Sequence, residues 1–238
     1  MNLEQKTVLI TGASRGIGRA LVNEALTRGA SRVYAGTRVP LHHLDDRVTA
    51  VRLDVTNSAQ IQAAVAQAQS LDVLINNAGV AIYDDLRGFD VIEQHMAVNL
   101  IGALKMTHAF LPLLKRSRGA VVNNLSLAAL AALPILPAYS ISKAAAFSAT
   151  QSLRALLTGE GVTVHAVLLG PIDTDMSRGL EIPKASAETA ARGIFDGLQR
   201  GEQDIFPDPV SESVAEGWRT GALKQLEREF AAFVQQAA

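Results

Sequence analysis

Tyr139 and Lys143 stand four residues apart in the run Tyr-Ser-Ile-Ser-Lys, with Ser126 thirteen residues upstream and Asn99 earlier still. Residues i and i+4 of a helix share a face, which sets phenol and ammonium about 5 to 6 Å apart at Cβ. A free phenol, with a pKa of about 10, holds its proton too tightly for efficient exchange near neutrality. A fixed cation beside it favours phenolate and lowers that value. The pair therefore predicts a proton donor for a carbonyl oxygen, with Lys143 tuning Tyr139. Taken alone, Tyr-x-x-x-Lys is as readily an exposed pair on a solvated helix. Its company changes the weight: TGASRGIG at 11 to 18 follows one apolar run, NNAG at 76 to 79 follows another, and Ser126 ends a third.

These runs must be held by regular elements. Thr7 to Thr11, Arg32 to Gly36, Val48 to Leu53, Asp72 to Asn76, Ala120 to Leu125 and Val162 to Leu168 are short, β-branched or apolar, and read as buried strands. A last strand is expected around Gln203 to Phe206. Helical periodicity fills the intervals at 16 to 28, 57 to 70 behind an Asn57 cap, 84 to 95, 98 to 117, 137 to 158 and 186 to 200. Strands alternating with helices imply parallel pairing through right-handed crossovers. The expected fold is a single α/β domain over 1 to 238, doubly wound in the Rossmann manner, with a mostly parallel seven-stranded sheet and helices on both faces.

Composition narrows the function. The chain has 238 residues, a formal net charge of −1 and no cysteine. The near-neutral balance argues against nucleic acid as a partner, and the lack of thiols excludes disulfides and cysteine-ligated metal. No metal site is assigned, the five histidines being read as surface or packing residues. No apolar run is read as a membrane span, so no membrane partner and a cytoplasmic location are expected.

As a set, the glycine loop, NNAG, Ser126 and the Tyr139/Lys143 pair resemble the short-chain dehydrogenase/reductase family over nearly the whole chain to about residue 176. The resemblance implies hydride transfer between a nicotinamide cofactor and a carbonyl or alcohol. Tyr139 would act as general acid in reduction and base in oxidation, and Ser126 would hydrogen-bond the same oxygen. Lys143 would also hold the nicotinamide ribose, and Asn99 would anchor a water chain that replaces the proton. Helices 98 to 117 and 137 to 158, rich in small and apolar residues, imply a homodimer or homotetramer.

Gly12, Gly16 and Gly18, with Ser14 and Ile17 in the same loop, would let backbone approach a pyrophosphate at a helix N-terminus. The spacing is Gly-x-x-x-Gly-x-Gly. The second strand ends Gly36-Thr37-Arg38 without the acid that would bind an adenosine ribose, and Arg38 with Arg15 can clamp a 2′-phosphate. NADP(H) is therefore expected over NAD(H). By the resemblance Asp54 and Val55 meet the adenine, Asn77, Ala78 and Gly79 form the adenosine-side wall, and Gly170, Ile172 and Thr174 meet the nicotinamide carboxamide; Asn76 is read as a brace of the sheet. The usual Pro-Gly pair is here Leu169-Gly170. The uncharged segment 127 to 138 predicts an apolar pocket for a mostly hydrophobic ketone, aldehyde or secondary alcohol. Two competing readings are a non-catalytic NADPH sensor or scaffold on the same fold, disfavoured because all four catalytic positions are filled, and an epimerase or dehydratase, disfavoured by the glycine spacing.

Beyond the expected last strand, Val214, Trp218, Ala222, Leu226, Phe230 and Val234 recur every four residues, with Leu223 and Phe233 beside them. The pattern predicts one amphipathic extension over 210 to 236 that lays its apolar stripe on the domain, leaving Lys224 and Glu227 largely outside.

Overall fold

A computed structural model describes residues 1–236. Its order is β1 (Thr7–Thr11), α1 (Gly16–Thr27), β2 (Arg32–Thr37), β3 (Val48–Arg52), α2 (Ser58–Gln67), β4 (Val73–Asn76), α3 (Phe89–His95), a π-helical turn (Met96–Gly102), α4 (Ala103–Ser117), β5 (Ala120–Asn124), α5 (Pro137–Leu157), β6 (Thr163–Val167), β7 (Ile172–Asp173), β8 (Ala185–Ser186), α6 (Ala187–Arg200), β9 (Asp204–Ile205), α7 (Pro209–Thr220) and α8 (Ala222–Gln236). Seven strands form one sheet in the order β3-β2-β1-β4-β5-β6-β9, every pair parallel.

Strand alternation decides which helix covers which face. Val8 and Ile10 of β1 join Val33 and Ala35 of β2 in a core closed by Leu21 of α1 and by Ile194 and Phe195 of α6. Leu9 and Tyr34, pointing the other way, join Ile61 of α2 and Met106, Phe110 and Leu114 of α4. Both faces being buried explains why the strands read as continuous apolar runs. Asn57 caps α2, its side chain accepting from Gln60 N–H at 3.1 Å, and Gly29, at φ +82°, ends the turn after α1.

Three expectations change. The helix foreseen from 84 starts at Phe89, because Asp84 and Asp85 instead accept from Leu86 and Arg87 N–H in tight turns. That helix and the one foreseen from 98 are one rod, α3 to α4, wound through the π turn. Phe89–Ser117 is long and apolar enough to cross a membrane by length and composition alone, where no run was read as a span. Met106, Phe110 and Leu114 on it face the sheet with no exposure.

The tail departs most. It is two helices, broken at Gly221, whose backbone is extended. The expected apolar stripe does not go inward: Leu223, Phe230 and Phe233 are 57 to 68% exposed. What faces the domain is charge. Lys224 donates to Asp204 and to Glu227 at 2.6 and 2.8 Å. Arg154 of α5 bonds Asp204 at 2.7 Å and also pairs with Glu227, and Trp218 Nε1 donates to Asp204 at 2.7 Å. Two cations and two anions neutralise one another there, which is the condition for burying any of them. Of the stripe, Trp218 turns in and stands edge-on to Phe147, with ring centroids 5.5 Å apart.

Candidate active site

The sheet order reverses between β1 and β4, where helices leave for opposite faces and a crevice opens beyond the strand ends. A cleft of about 470 Å³ occupies it, floored by the glycine loop and reaching Tyr139 and Lys143. Gly12 and Gly16 adopt φ of +67° and +51°, a conformation side chains strain to reach. A Cβ on Gly18 would stand 2.1 Å from Gly12 O, so loop and helix touch backbone to backbone. The loop is bolted to NNAG. Thr11 Oγ1 accepts from Asn77 and Ala78 N–H, both at 2.9 Å, and Asn77 Nδ2 donates to Thr11 O at 2.9 Å.

Ser14, Arg15, Ile17, Thr37, Arg38, Asp54, Val55, Asn77, Ala78, Gly79 and Thr174 all line this cleft with the three loop glycines. Asp54 accepts from Thr56 N–H and Oγ1; those bonds, aided by the nearby Arg38 charge, hold its carboxyl below the usual range. Arg38 is exposed at the rim. Arg15 reaches across the mouth to Asp175 through Nη1 at 3.2 Å, which leaves its other N–H donors for a phosphate. Gly170 and Ile172, expected at the nicotinamide, stand behind the lining: Ile172 is 5% exposed in the core, paired with Ala185. Leu169, Asp175 and Met176 line the cleft in their place.

At the catalytic end α5 presents Tyr139 and Lys143 one turn apart, as the spacing required. Lys143 Nζ is 5.6 Å from the Tyr139 ring centroid and donates to Asn124 O at 2.8 Å. Burial lowers Lys143 to about 8. The expectation that Lys143 lowers the phenol is not met here. Burial pushes Tyr139 up, and only its hydrogen bond with Ser126 opposes that.

Asn99 sends its two amide hydrogens to Val80 O (3.0 Å) and Ser142 Oγ (2.9 Å), and its oxygen accepts from Val80 N–H (2.9 Å). Its side chain thus fixes the wall beside the cleft. Asn76, foreseen as a brace, donates to Thr107 Oγ1 and Asn123 Oδ1. Sequence reading also passed over His95. Fully buried, it stands edge-on to Tyr139, centroids 6.2 Å apart, with Nε2 accepting from Ile82 N–H and Nδ1 bonded to Val91 O. Its distance in sequence from Tyr139 hid it.

Sheet order, backbone cradle and tyrosine–lysine pair define a dinucleotide-dependent oxidoreductase architecture. The short chain dehydrogenase profile matches residues 6–184, and the chain belongs to that family. It is 33% identical to ketoacyl reductase HetN of Nostoc, the match covering 89% of this chain and 82% of that protein. It is 34% identical to oxidoreductase UcpA of Salmonella typhimurium, over 75% and 73%. A short chain dehydrogenase from Burkholderia cenocepacia, solved in complex with NADP, superposes with a TM-score of 0.88 at 36% identity, covering 96% of this chain and 98% of that one. A Burkholderia phymatum relative in complex with NAD shares the fold, with a TM-score of 0.78 at 22% identity over 90% and 92%.

Proposed function

We propose that the protein is an NADP(H)-preferring carbonyl reductase acting on a mostly hydrophobic ketone or aldehyde, or on the corresponding secondary alcohol. The observation that carries the reading is the shared cleft: one end is the glycine-loop cradle, the other holds Tyr139 and Lys143. Bound there, a nicotinamide would supply or accept hydride at the carbonyl carbon. The chain's residues handle the proton. Tyr139 gives its phenolic hydrogen to the carbonyl oxygen in reduction and takes it back in oxidation. Ser126 Oγ would donate to that oxygen and so stabilise developing alkoxide. Lys143, protonated below about 8, would hold the nicotinamide ribose. Met176, 51% exposed and lining the cleft, and the uncharged segment 127 to 138 that leads into Tyr139 support an apolar substrate.

NADP(H) preference rests on Thr37-Arg38 standing where an acid would repel a 2′-phosphate, with Arg15 in the same cleft. The NADP complex of the 36%-identical relative supports it. A ligand stabilises the folded state by RT ln(1 + [L]/Kd), so NADPH should raise Tm more than NADH at equal concentration, and Arg38→Asp should reverse the order. Equal shifts in the wild type would remove the assignment. The same reading has the chain pair through α4 and α5, whose neighbourhood exposes Ile101, Ile141 and Leu156; a monomer in light scattering would remove that part.

A further inference from the structure

The segment 169–171, which carries the chain from β6 into the nicotinamide side of the cleft, hangs by three backbone tethers. Leu169 O accepts from Leu127 N–H at 2.8 Å, and Pro171 O accepts from Ala185 N–H at 3.0 Å. The third comes from the tail. Asp208, 3% exposed, is the N-cap of α7, and its Oδ2 accepts from Gly170 N–H at 2.8 Å. The same carboxylate takes Val210 N–H (3.1 Å) and Ser211 N–H (3.0 Å) on Oδ1, and Ser211 O–H (2.8 Å) on Oδ2. One buried group thus closes a helix and fixes a cleft loop nearly forty residues away. The packing leaves no slack: a Cβ on Gly170 would come within 2.5 Å of Asp208 Oδ1 and 2.9 Å of Val210 Cβ. Leu169 and Thr174, on either side of this tether, line the cleft.

We infer that Asp208 is a positioning residue for the nicotinamide end of the cofactor, setting the backbone of 169–174 through Gly170 N–H. The inference rests on the dinucleotide reading of the cleft and names the residue that shapes one half of it. A carboxylate can meet all four donors. An amide cannot, since one of its two ends is itself a donor. In Asp208→Asn the oxygen is retained by the two α7 N–H groups, as helix capping prefers, and Nδ2 is left facing Gly170 N–H. Asp208→Ser keeps a capping oxygen but is too short to reach Gly170. Both substitutions cut the tether while sparing the helix.

The test is calorimetric titration of wild type, Asp208→Asn and Asp208→Ser with NADPH and with adenosine 2′,5′-bisphosphate, a fragment with no nicotinamide. Loss of one buried hydrogen-bond partner corresponds to about a tenfold change in affinity. NADPH is expected to weaken about tenfold in both variants while the fragment stays within twofold of wild type. NADPH affinity unchanged in both variants, or NADPH and fragment weakened in parallel, overturns the inference, because a cap or a generally damaged fold would give those results. Should the wild type prefer NADH, the proposed cofactor choice fails separately, and the same comparison runs with NADH and adenosine diphosphate. A variant that does not fold is replaced by the other, since either one alone cuts the bond to Gly170.

Discussion

Lys143→Met should stabilise the empty protein at neutral pH while destroying its activity, and the sign of the stability change should depend on pH. Burial lowers the lysine from 10.5 to about 8. Between those values the folded state binds fewer protons than the unfolded state, so wild-type stability rises with pH through that window. At pH 7 the ammonium is charged in both states, and holding it buried costs about 3 kcal/mol at 1.36 kcal/mol per pKa unit. Methionine removes that cost but strands Asn124 O, which loses its donor, at about 1 to 2 kcal/mol. The net gain is about 1 to 2 kcal/mol, or roughly 2 to 8 °C in Tm for a chain of this size. Near pH 9.5 only about 1 kcal/mol of the penalty remains, and the two contributions cancel. The assay is the difference in Tm between variant and wild type, without cofactor, at pH 7 and pH 9.5; other titrating groups drop out of that difference. A difference that did not shrink with rising pH would refute the claim that Lys143 is a buried ammonium held at a cost.

Tyr139→Phe keeps the ring against His95 and removes the proton. Turnover of an accepted carbonyl should fall by about 10² to 10⁴ with NADPH affinity nearly unchanged; a variant retaining a tenth of wild-type kcat would exclude Tyr139 as the acid. Asp204→Asn should cost about 3 kcal/mol, since it leaves Arg154 and Lys224 sharing Glu227 in a buried site. Its urea midpoint measures this, and an unchanged midpoint would show that the cluster does not hold the tail. The carboxyl of Asp204 is held below 3.8 by Arg154, Lys224 and Trp218 against the opposing effect of burial. Its contribution is therefore complete above the unfolded value of 3.8 and lost as pH falls through the lower folded one. The Asn variant should accordingly lose less stability on acidification than wild type.

The fold and most of the cleft were legible because both are local statements. β1 and its glycine loop are contiguous, and a buried parallel strand is apolar on both faces, so Val8-Leu9-Ile10 announces itself. Tyr139 and Lys143 are tied by helical period. What escaped was set by contacts between distant segments. His95 meets Tyr139 across forty-four residues, and Asp208 meets Gly170 across thirty-eight. The tyrosine's pKa failed for a related reason. Spacing brings the ammonium near, but says nothing of how deeply the phenol is buried. In the tail, apolar periodicity was real yet misjudged the buried face, since Asp204 and Arg154 already offered a polar seat that no hydrophobic pattern reports.

That seat has a geometric consequence. A helix laid on grease can slide or roll by part of a turn and lose little, because area is nearly indifferent to angle. α8 is instead held by Lys224 and Glu227, three residues apart, each aimed at a named atom. One residue inserted or deleted within α8 between them turns one group about 100° from the other and carries it off its partner. The orientation of the tail is thus indexed like a key in a lock, tolerant of changes to its outward leucines and phenylalanines and intolerant of any change in the spacing of Lys224 and Glu227 along α8.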